Sequence, residues 1–219
     1  MNVKHEKIRT ADRPLRIVVL LSGTGRTLEN LLIACKSGTL SVDVARVIST
    51  RRNVRGNDVA RNADIPLSII PRREFETPER FSDAVLETIG QEHPGLVVMA
   101  GFLSKIAISD ELVGRVMNIH PALLPMFGGL GHYGQRVHEQ VLASGMKISG
   151  CTAHFVDDEY DAGPIIAQAC VPVLDDDDAD SLAARVFARE CELYPRAIRL
   201  FAENRLRIEG RRVRVLPAD

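Results

Sequence analysis

The chain has 219 residues, of which 45% are hydrophobic and 26% charged, enough for one large domain or two small ones around a buried core. Its formal net charge of −1 gives no general case for a polyanionic or membrane-surface partner, and no apolar run approaches the roughly 18 residues that a membrane span needs. The four cysteines are scattered, without the spacing of a zinc site or a disulfide framework, which predicts free thiols in a cytoplasmic protein.

The predicted elements begin after a polar stretch, residues 1–14, which lacks the apolar core of a secretory signal and is predicted as a flexible tail. Short apolar, β-branched runs then predict buried parallel strands over 15–21, 42–49, 66–70, 96–100 and 116–119. Helical patterns separate these strands over 28–36, 57–63 and 78–92. This alternation predicts an α/β fold, with a mostly parallel twisted sheet and helices on both of its faces.

The C-terminal part of the chain has a different pattern. Two strand-like runs, 149–156 and 165–173, are joined only by a loop, which predicts an antiparallel extension of the sheet. The acidic run 175–178 precedes a predicted helix over 182–203, and its charge suits a helix N-terminus better than a calcium site. Residues 206–216 alternate around a glycine, which predicts a terminal hairpin. No repeat or linker interrupts the chain, so residues 15–219 are predicted as a single domain.

Asn118 and His120 lie two residues apart at the end of an apolar strand, which Pro121 stops. Alternate residues of a strand share a face, and ligands of open α/β sheets bind beyond the carboxyl ends of the strands. An amide can donate to a developing oxyanion, and an imidazole can donate or shuttle a proton near neutral pH. A lone histidine is more often structural, but the neighbouring amide favours the interpretation of this pair as the chemical centre.

Three loops could bring further groups to this centre. Ser22-Gly-Thr-Gly-Arg-Thr27 lies between a predicted strand and helix, and suits a monophosphate, with a plain tight turn as the alternative. The glycine-dense segment Gly128–Gly134 predicts a mobile loop and substrate lid, with a surface connection as the alternative. The loop 157–161 contains four acids. Of these Asp161 precedes a turn and could reach His120, but spacing alone does not choose among them.

Six motifs in chain order resemble the phosphoribosylglycinamide formyltransferase family, the folate-dependent enzymes of purine synthesis. They are Ser22-Gly-x-Gly-x-x-Leu28, Ala100-Gly-Phe102, Asn118-Ile-His-Pro-Ala-Leu-Leu-Pro125, Gly150-Cys-Thr-Ala-His-Phe-Val156, Asp161-Ala-Gly-Pro164 and Leu193-Tyr-Pro195. The similarity covers about residues 15–208 and implies a Rossmann-like formyltransferase fold. The Asn-x-His pair and the Asp are shared with a wider superfamily that includes methionyl-tRNA formyltransferase and formyltetrahydrofolate hydrolase.

The resemblance also implies roles for individual residues. The catalytic residues would be Asn118, His120 and Asp161, which chooses Asp161 among the four acids, and His154 would support them. The substrate phosphate and ribotide would bind Gly25, Arg26, Thr27 and Glu190. The folate pterin would lie between 99–106 and 156–161, with contacts from Met99, Phe102, Leu103, Ser104, Lys105, Ile106, Asn118, Val156, Asp157, Asp158 and Asp161.

The sequence departs from the family pattern in three places, none of them in the catalytic trio. Thr27 stands where the family usually has Asn, and can keep a backbone contact while losing a side-chain one. Ser104 stands where a basic residue usually follows Gly-Phe, with Lys105 next in the chain. The Pro-rich lid is replaced by Phe127-Gly-Gly-Leu-Gly-His-Tyr133, which is longer and predicted to be more flexible.

The resemblance implies that 10-formyltetrahydrofolate, as co-substrate, gives its formyl group to the amine of glycinamide ribonucleotide without a metal. The partners would be these small molecules, with no nucleic acid and no membrane, and the protein would be a cytoplasmic monomer or homodimer. Two alternatives are a formyltetrahydrofolate hydrolase or related formyltransferase, and a non-catalytic phosphate- or nucleotide-binding module. The phosphate loop and Glu190 favour the ribotide, because hydrolysis requires no second substrate pocket.

Overall fold

The computed structural model describes residues 14–218. Except for Pro14, the predicted flexible tail at 1–14 lies outside the described residues. The described chain divides into two compact units, one ending at Met117 and the other beginning at Asn118. Each unit has its own strands and helices, and the single domain expected over 15–219 stays a prediction.

The unit that ends at Met117 contains four parallel strands in the order β3-β2-β1-β4. They are β1 (Leu15–Leu21), β2 (Val42–Ser49), β3 (Leu67–Ile69) and β4 (Leu96–Met99). All of β4, and all of β1 except Arg16, is buried, as continuous apolar runs in a parallel sheet predict. The predicted parallel strands are confirmed, with exact agreement of bounds for β1 and β2.

Three helices and a short 3₁₀ turn connect these strands. The helices are α1 (Arg26–Lys36), α2 (Arg55–Asn62) and α3 (Pro78–Glu92), and the 3₁₀ turn is Arg72–Glu74. Thr77 caps α3 by accepting a hydrogen bond from the backbone N–H of Arg80 at 3.3 Å, with Pro78 at the first helical position, as predicted. His93 ends α3 in the left-handed conformation, with φ 46°. The 3₁₀ turn was not predicted.

The unit that begins at Asn118 contains the end of β5 (Val116–His120), followed by β6 (Ile148–Phe155), β7 (Ile165–Pro172), β8 (Leu206–Glu209) and β9 (Arg212–Val215). Their order is β5-β6-β7-β9-β8. Strands β6 and β7 pair antiparallel, as do β8 and β9, whereas β7 and β9 are parallel. The predicted antiparallel pairing of the two runs and the predicted terminal hairpin are therefore confirmed.

Two helices complete this unit, α4 (Gln135–Ala143) and α5 (Ala179–Ala202). The acidic run before α5 acts as its cap, as predicted: Asp178 and Ser181 form a capping box. Helix α4 was not predicted, because it begins after Gly134, which offers no side-chain cap, in a segment whose glycines indicate a loop. None of the helices between residues 14 and 218 has both the length and the apolar character needed to cross a membrane.

At two glycines of this unit, neighbouring backbone segments approach each other closely. A Cβ atom on Gly150 would lie 2.1 Å from the carbonyl oxygen of Ala169 on the neighbouring strand. A Cβ atom on Gly163 would lie 1.9 Å from the carbonyl oxygen of Phe155, at the open end of the β6–β7 pair. Only glycine fits at either position. The Gly150 contact lies within the strand pair, whereas the Gly163 contact closes the base of the loop that contains Asp161.

Candidate active site

The end of β5 presents two polar side chains in otherwise apolar surroundings. Asn118 is half-buried, and His120 exposes only 4% of its surface, while Met117 and Ile119 belong to the core. A polar side chain buried to this degree needs hydrogen-bond partners. The partners come from the loop after β5, from the end of β6 and from the loop between β6 and β7, all within the unit that begins at Asn118.

The His120 imidazole lies between two hydrogen-bond acceptors. Its Nδ1 atom is 3.4 Å from Asp161 Oδ2, and its Nε2 atom is 2.7 Å from the carbonyl oxygen of Phe127. Burial lowers the pKa of His120 below its ordinary value, and the negative charge of Asp161 and the Phe127 carbonyl oppose that shift. Each nitrogen of the ring therefore has an acceptor for a proton. Burial nevertheless disfavours the positive charge of the doubly protonated ring.

His154 fixes the orientation of the Asn118 amide. His154 Nδ1 lies 2.8 Å from the carbonyl oxygen of Phe155, which can only accept, so Nδ1 carries the proton of the neutral ring. His154 Nε2 is then an acceptor for Asn118 Nδ2, at 3.2 Å. Asn118 Nδ2 also donates to Asp161 Oδ1, at 3.3 Å. Both N–H groups of the Asn118 amide therefore have partners within the cluster.

Asp161 joins the two halves of this cluster. Its backbone is in the left-handed region, with φ 53°, and its side chain is 12% exposed. Burial alone would raise the pKa of Asp161, but the nearby His154 ring, whose Nε2 lies 3.6 Å from Asp161 Oδ1, the charge of His120 and the Gly129 N–H together lower it. The Gly129 N–H donates to Asp161 Oδ2 at 2.9 Å. Asp161 is consequently a carboxylate at neutral pH.

The structure thus brings together Asn118, His120, His154 and Asp161, four of the residues that the sequence singled out. It adds the backbone of Phe127 and Gly129, which the sequence did not indicate. The segment Gly128–Gly134 was predicted as a mobile loop, yet its first residues contact the cluster. No pattern of residue types marks a backbone carbonyl or N–H as part of a site, so this contact could be found only from the coordinates.

The predicted phosphate loop belongs to the other unit and is held by backbone contacts. Gly25 precedes α1 in the left-handed conformation, with φ 74°, and a Cβ atom on it would lie 2.5 Å from the Cα atom of Gly56. The Gly56 N–H donates to the carbonyl oxygen of Gly23 at 3.1 Å. Arg26 is exposed and Thr27 half-buried in the first turn of α1, which has no side-chain cap. A helix start of this kind suits an anion.

The predicted folate residues lie in two places. Met99 ends β4, and the residues of the loop after it, Phe102 to Ile106, range from exposed Leu103 and Lys105 to buried Ile106. In the other unit, Val156 and Asp157 are half-buried and Asp158 is exposed, in the loop after β6. Leu103 and Ser104 also line a cleft of about 510 Å³, together with Ser22, Thr50, Arg51, Arg52, Pro71, Arg72 and Arg73. The sequence analysis did not single out these arginines.

Glu190 lies in the middle of α5 and is half-buried. Burial and the nearby charge of Glu190 raise the pKa of Cys151, on β6, to about 12, so this thiol is not a nucleophile near neutral pH. Glu190 is therefore close enough to β6 to influence a side chain there. Among residues 14–218, no three His, Cys, Asp or Glu side chains are grouped so as to hold a metal ion.

Comparison with known families gives a consistent result. Residues 15–198 match the sequence model of the formyl transferase family. The chain is 37% identical over 196 residues to phosphoribosylglycinamide formyltransferase of Escherichia coli K12, with 89% of this chain and 90% of that protein covered. It is 38% identical over 198 residues to the chloroplastic phosphoribosylglycinamide formyltransferase of Vigna unguiculata, with 89% of this chain covered, and it spans 63% of that relative's length.

Solved structures agree with these matches. The structure resembles glycinamide ribonucleotide transformylase 1 from Symbiobacterium toebii, with a TM-score of 0.87, 40% identity, and coverage of 97% of this chain and 99% of that one. It also resembles a formyltetrahydrofolate deformylase from Pseudomonas syringae, with a TM-score of 0.84 but only 27% identity, and coverage of 94% of this chain and 67% of that one. The expected mixed sheet with helices on both sides is thereby confirmed as a formyltransferase fold.

Proposed function

This chain belongs to the phosphoribosylglycinamide formyltransferase family, and we propose that it transfers the formyl group of 10-formyltetrahydrofolate to the amine of N1-(5-phospho-D-ribosyl)glycinamide, a folate-dependent step of purine biosynthesis. The observation that carries the proposal is the hydrogen-bonded cluster of Asn118, His120 and Asp161. An amide donor, a proton-carrying ring and a carboxylate within one cluster are what the transfer of a formyl group between two nitrogens requires.

The reaction begins when the neutral amine of the acceptor attacks the formyl carbon. The carbonyl oxygen then becomes an oxyanion, and Asn118 Nδ2 donates a hydrogen bond to it. Because both N–H groups of Asn118 already have partners, donation to the oxyanion replaces one of them. The bond to Asp161, at 3.3 Å, is the longer of the two, and its replacement leaves the His154 contact to hold the amide in place.

His120 and Asp161 move the proton that the reaction must transfer. The attacking nitrogen loses a proton and the leaving nitrogen of the folate gains one, so the net protonation of the enzyme is unchanged. The Asp161 carboxylate, with its lowered pKa, stabilises positive charge on His120 and orients its ring. Protonated His120 stabilises the oxyanion through its charge, because burial strengthens electrostatic interactions.

The remaining predicted residues bind the two substrates. Gly25, Arg26 and Thr27 offer backbone N–H groups at the start of α1 to the ribotide phosphate. Glu190 contacts the ribotide, and the folate contacts the loop after β4 and the loop after β6. These residue roles and the pterin position rest on the family resemblance. The helix start without a side-chain cap supports the phosphate assignment in particular.

We also propose small-molecule substrates as the only partners, with no nucleic acid, in a cytoplasmic protein that is a monomer or a homodimer. The near-neutral net charge of −1 supports the exclusion of a polyanionic partner. The location is part of the proposal, since the relative from Vigna unguiculata is chloroplastic.

A coupled spectrophotometric assay with 10-formyltetrahydrofolate, with and without the ribotide, tests the transfer. We expect release of tetrahydrofolate only when the ribotide is present, in equal amounts with the formylated product. Release at the same rate without the ribotide would assign hydrolysis instead. Binding of both ligands without turnover, unaffected by Asp161→Asn, would assign a binding module.

A further inference from the structure

Residues Phe127 to Gly129, here called the backbone clamp, contact both titrating members of the catalytic cluster through main-chain atoms. The Phe127 carbonyl oxygen lies 2.7 Å from His120 Nε2, and the Gly129 N–H donates to Asp161 Oδ2 at 2.9 Å. The acceptor thus faces the imidazole and the donor faces the carboxylate. The same short segment therefore offers a hydrogen-bond acceptor to the imidazole and a hydrogen-bond donor to the carboxylate.

The backbone clamp has a conformation that few sequences can adopt. Phe127 is a non-glycine residue in the left-handed region, with φ 53°, which is costly for a bulky side chain. A Cβ atom on Gly128 would lie 2.5 Å from Leu124 Cδ2 and 3.2 Å from the Cβ atom of Asp161. Gly129 has φ 91°. The backbone is thus held in a specific strained shape against Asp161, although the segment is rich in glycine.

We propose that the backbone clamp positions His120 and Asp161 and determines which of them holds the transferred proton. This proposal rests on the function proposed above. An acceptor at Nε2, together with the Asp161 carboxylate at Nδ1, favours a proton on both ring nitrogens, whereas a donor at Oδ2 favours the ionised carboxylate. The backbone clamp therefore stabilises an ion pair. In this pair a protonated His120 can donate its proton, and the ionised Asp161 balances the positive charge of the ring.

Other groups around His120 act in the opposite direction. The charges of His154 and His132 lower the pKa of His120, as burial does, while Asp161 and the Phe127 carbonyl raise it. His138 on α4 is also near enough for His120 to lower its pKa. Burial and two histidines thus disfavour the imidazolium of His120, and two acceptors favour it. Removal of the carbonyl contact shifts the balance toward the neutral ring, and removal of the Gly129 N–H raises the pKa of Asp161.

A matched pair of variants separates the clamp from simple backbone strain. Gly129 and Gly131 have φ values of 91° and 90°, and no heavy atom lies within 4 Å of a Cβ atom on either. Alanine is therefore strained at both positions and keeps its N–H at both, so relief of that strain displaces a donor to Asp161 only at position 129. We expect Gly129→Ala to move the limbs of the kcat–pH profile and Gly131→Ala to keep the wild-type limbs. Equal profiles for both variants would overturn the proposal.

A backbone ester at position 129, made by replacing the glycine with glycolic acid, deletes the N–H without adding strain. We expect the limb assigned to Asp161 to move to higher pH, and the ¹⁵N resonances of His120 to show a smaller imidazolium fraction at fixed pH. A lower kcat with an unchanged pH profile and unchanged ¹⁵N shifts would indicate a merely structural role and overturn the proposal. The wild-type chain measured in parallel, with and without the ribotide, shows separately whether the proposed reaction itself holds.

The cleft beside Ser104 carries a second, independent inference. Its lining includes four arginines, Arg51, Arg52, Arg72 and Arg73, and no acidic residue. Arg52 pairs with Glu74 at 2.6 Å, but within residues 14–218 neither Arg51 nor Arg73 forms an ion pair. The cleft therefore has positive charge in excess of its acidic neighbours, concentrated in a volume of about 510 Å³.

The backbone beneath two of these arginines is fixed in advance. Asn57 Nδ2 donates to the carbonyl oxygens of Arg51 and Arg52 at 2.9 and 2.8 Å, and Asn57 is completely buried. Arg72 Nη1 donates to the Phe75 carbonyl oxygen at 3.0 Å, and its guanidinium lies 5.8 Å from the centre of the Phe81 ring. A ligand therefore meets an ordered backbone at Arg51 and Arg52 and an ordered Arg72 guanidinium, which reduces the entropy cost of binding.

We infer that this cleft, here called the arginine cleft, binds a multiply charged oxyanion, either a phosphate compound or a carboxylate-bearing ligand. Planar guanidinium groups pair with both kinds of oxyanion in a bidentate manner. Calorimetry with inorganic pyrophosphate and with citrate tests the shared chemistry in the full chain. We expect the double variant Arg51→Gln/Arg73→Gln to weaken binding of at least one probe by about tenfold or more.

Arg61→Gln is the control, because Arg61 is an exposed arginine of α2 outside the cleft, paired with Asp58. We expect it to bind both probes like the wild type. The KM for 10-formyltetrahydrofolate in the double variant distinguishes two sources of the oxyanion. A raised KM indicates that the cleft binds the carboxylates of the co-substrate, and an unchanged KM indicates that it binds a free oxyanion. Equal binding by the double variant and Arg61→Gln, or no binding by the wild type, would overturn the inference.

Discussion

The catalytic cluster and the phosphate loop are held in place by opposite means. Asn118, His120 and Asp161 are fixed by hydrogen bonds between side chains and to a nearby backbone turn. The loop at 22–27 is shaped by glycines, whose missing side chains let Gly25 approach Gly56 closely. The geometry of the cluster depends on polar side chains that are present, and the geometry of the loop depends on side chains that are absent. Substitutions should therefore change reaction chemistry in the first region and backbone geometry in the second.

The largest effect is expected from the cluster. Asn118→Ala and His120→Ala should each lower kcat at least about a hundredfold while folding survives, because loss of one oxyanion donor typically costs roughly 2.7–4 kcal/mol of barrier. Steady-state kinetics with both substrates measures the loss, and circular dichroism checks the fold. His93→Asn is a control, since Asn tolerates the left-handed conformation that His93 adopts outside the cluster. A kcat near the wild-type value in either alanine variant would contradict the prediction that substitutions in the cluster change the reaction chemistry.

A smaller effect is expected from the phosphate loop. Gly25→Ala introduces a Cβ atom 2.5 Å from the Gly56 Cα atom, at φ 74°. Such overpacking should lower the free energy of unfolding by about 1–3 kcal/mol, in addition to the left-handed strain of about 1–2 kcal/mol, and should raise the KM for the ribotide. Urea unfolding and steady-state kinetics measure the two effects.

Gly38→Ala is the matched control for this loop. Gly38 has nearly the same φ, 75°, but no atom lies within 4 Å of a Cβ atom there. We expect only the strain term and no change in KM. If the two variants lost equal stability and both kept the wild-type KM, the close approach of Gly25 to Gly56 would have no part in shaping the loop.

The smallest expected effect is the pH dependence of the free energy of unfolding, because burial and polar partners shift the pKa values of the cluster in opposite directions. The pKa of His120 is lowered in the folded state, so the unfolded chain binds more protons below about 6.5, and the free energy of unfolding falls as pH drops through that value. The pKa of Asp161 is also lowered, so its contribution is present above its unfolded pKa of about 3.9 and is lost as pH falls further.

Urea unfolding at a series of pH values measures this effect in the wild type and in His120→Gln. The variant should lose stability less steeply between pH 7 and pH 5, since it lacks the buried ring. The phosphate loop contains no group that titrates in this range, so Gly25→Ala should keep the wild-type slope. Equal slopes in wild type and His120→Gln would show that the imidazole has the same pKa in both states.

The elements that the sequence predicted well are those with a strong local signal. Strands β1 and β2 are rich in Val and Ile, and α3 has a side-chain cap with Pro at its first position. Helix α4 lacked such a signal, since it follows a glycine with φ 57° and ψ −138°. Asn118 and His120 could be named because their residue types and spacing indicate the chemistry, whereas Asp161 was chosen among four acids only through the family resemblance. The contacts of Phe127 and Gly129 could not, because main-chain groups are the same in every residue.

Gly163 limits how this enzyme could be remodelled. Its backbone passes so close to the Phe155 carbonyl that a methyl group there would lie 1.9 Å away. Directed evolution toward bulkier formyl acceptors would draw variation from the exposed residues Asp158 to Tyr160, three to five positions upstream, since they can change without crowding this crossing. A library that randomises position 163 would be expected to yield mostly inactive clones, because any side chain displaces the loop and carries the carboxylate with it.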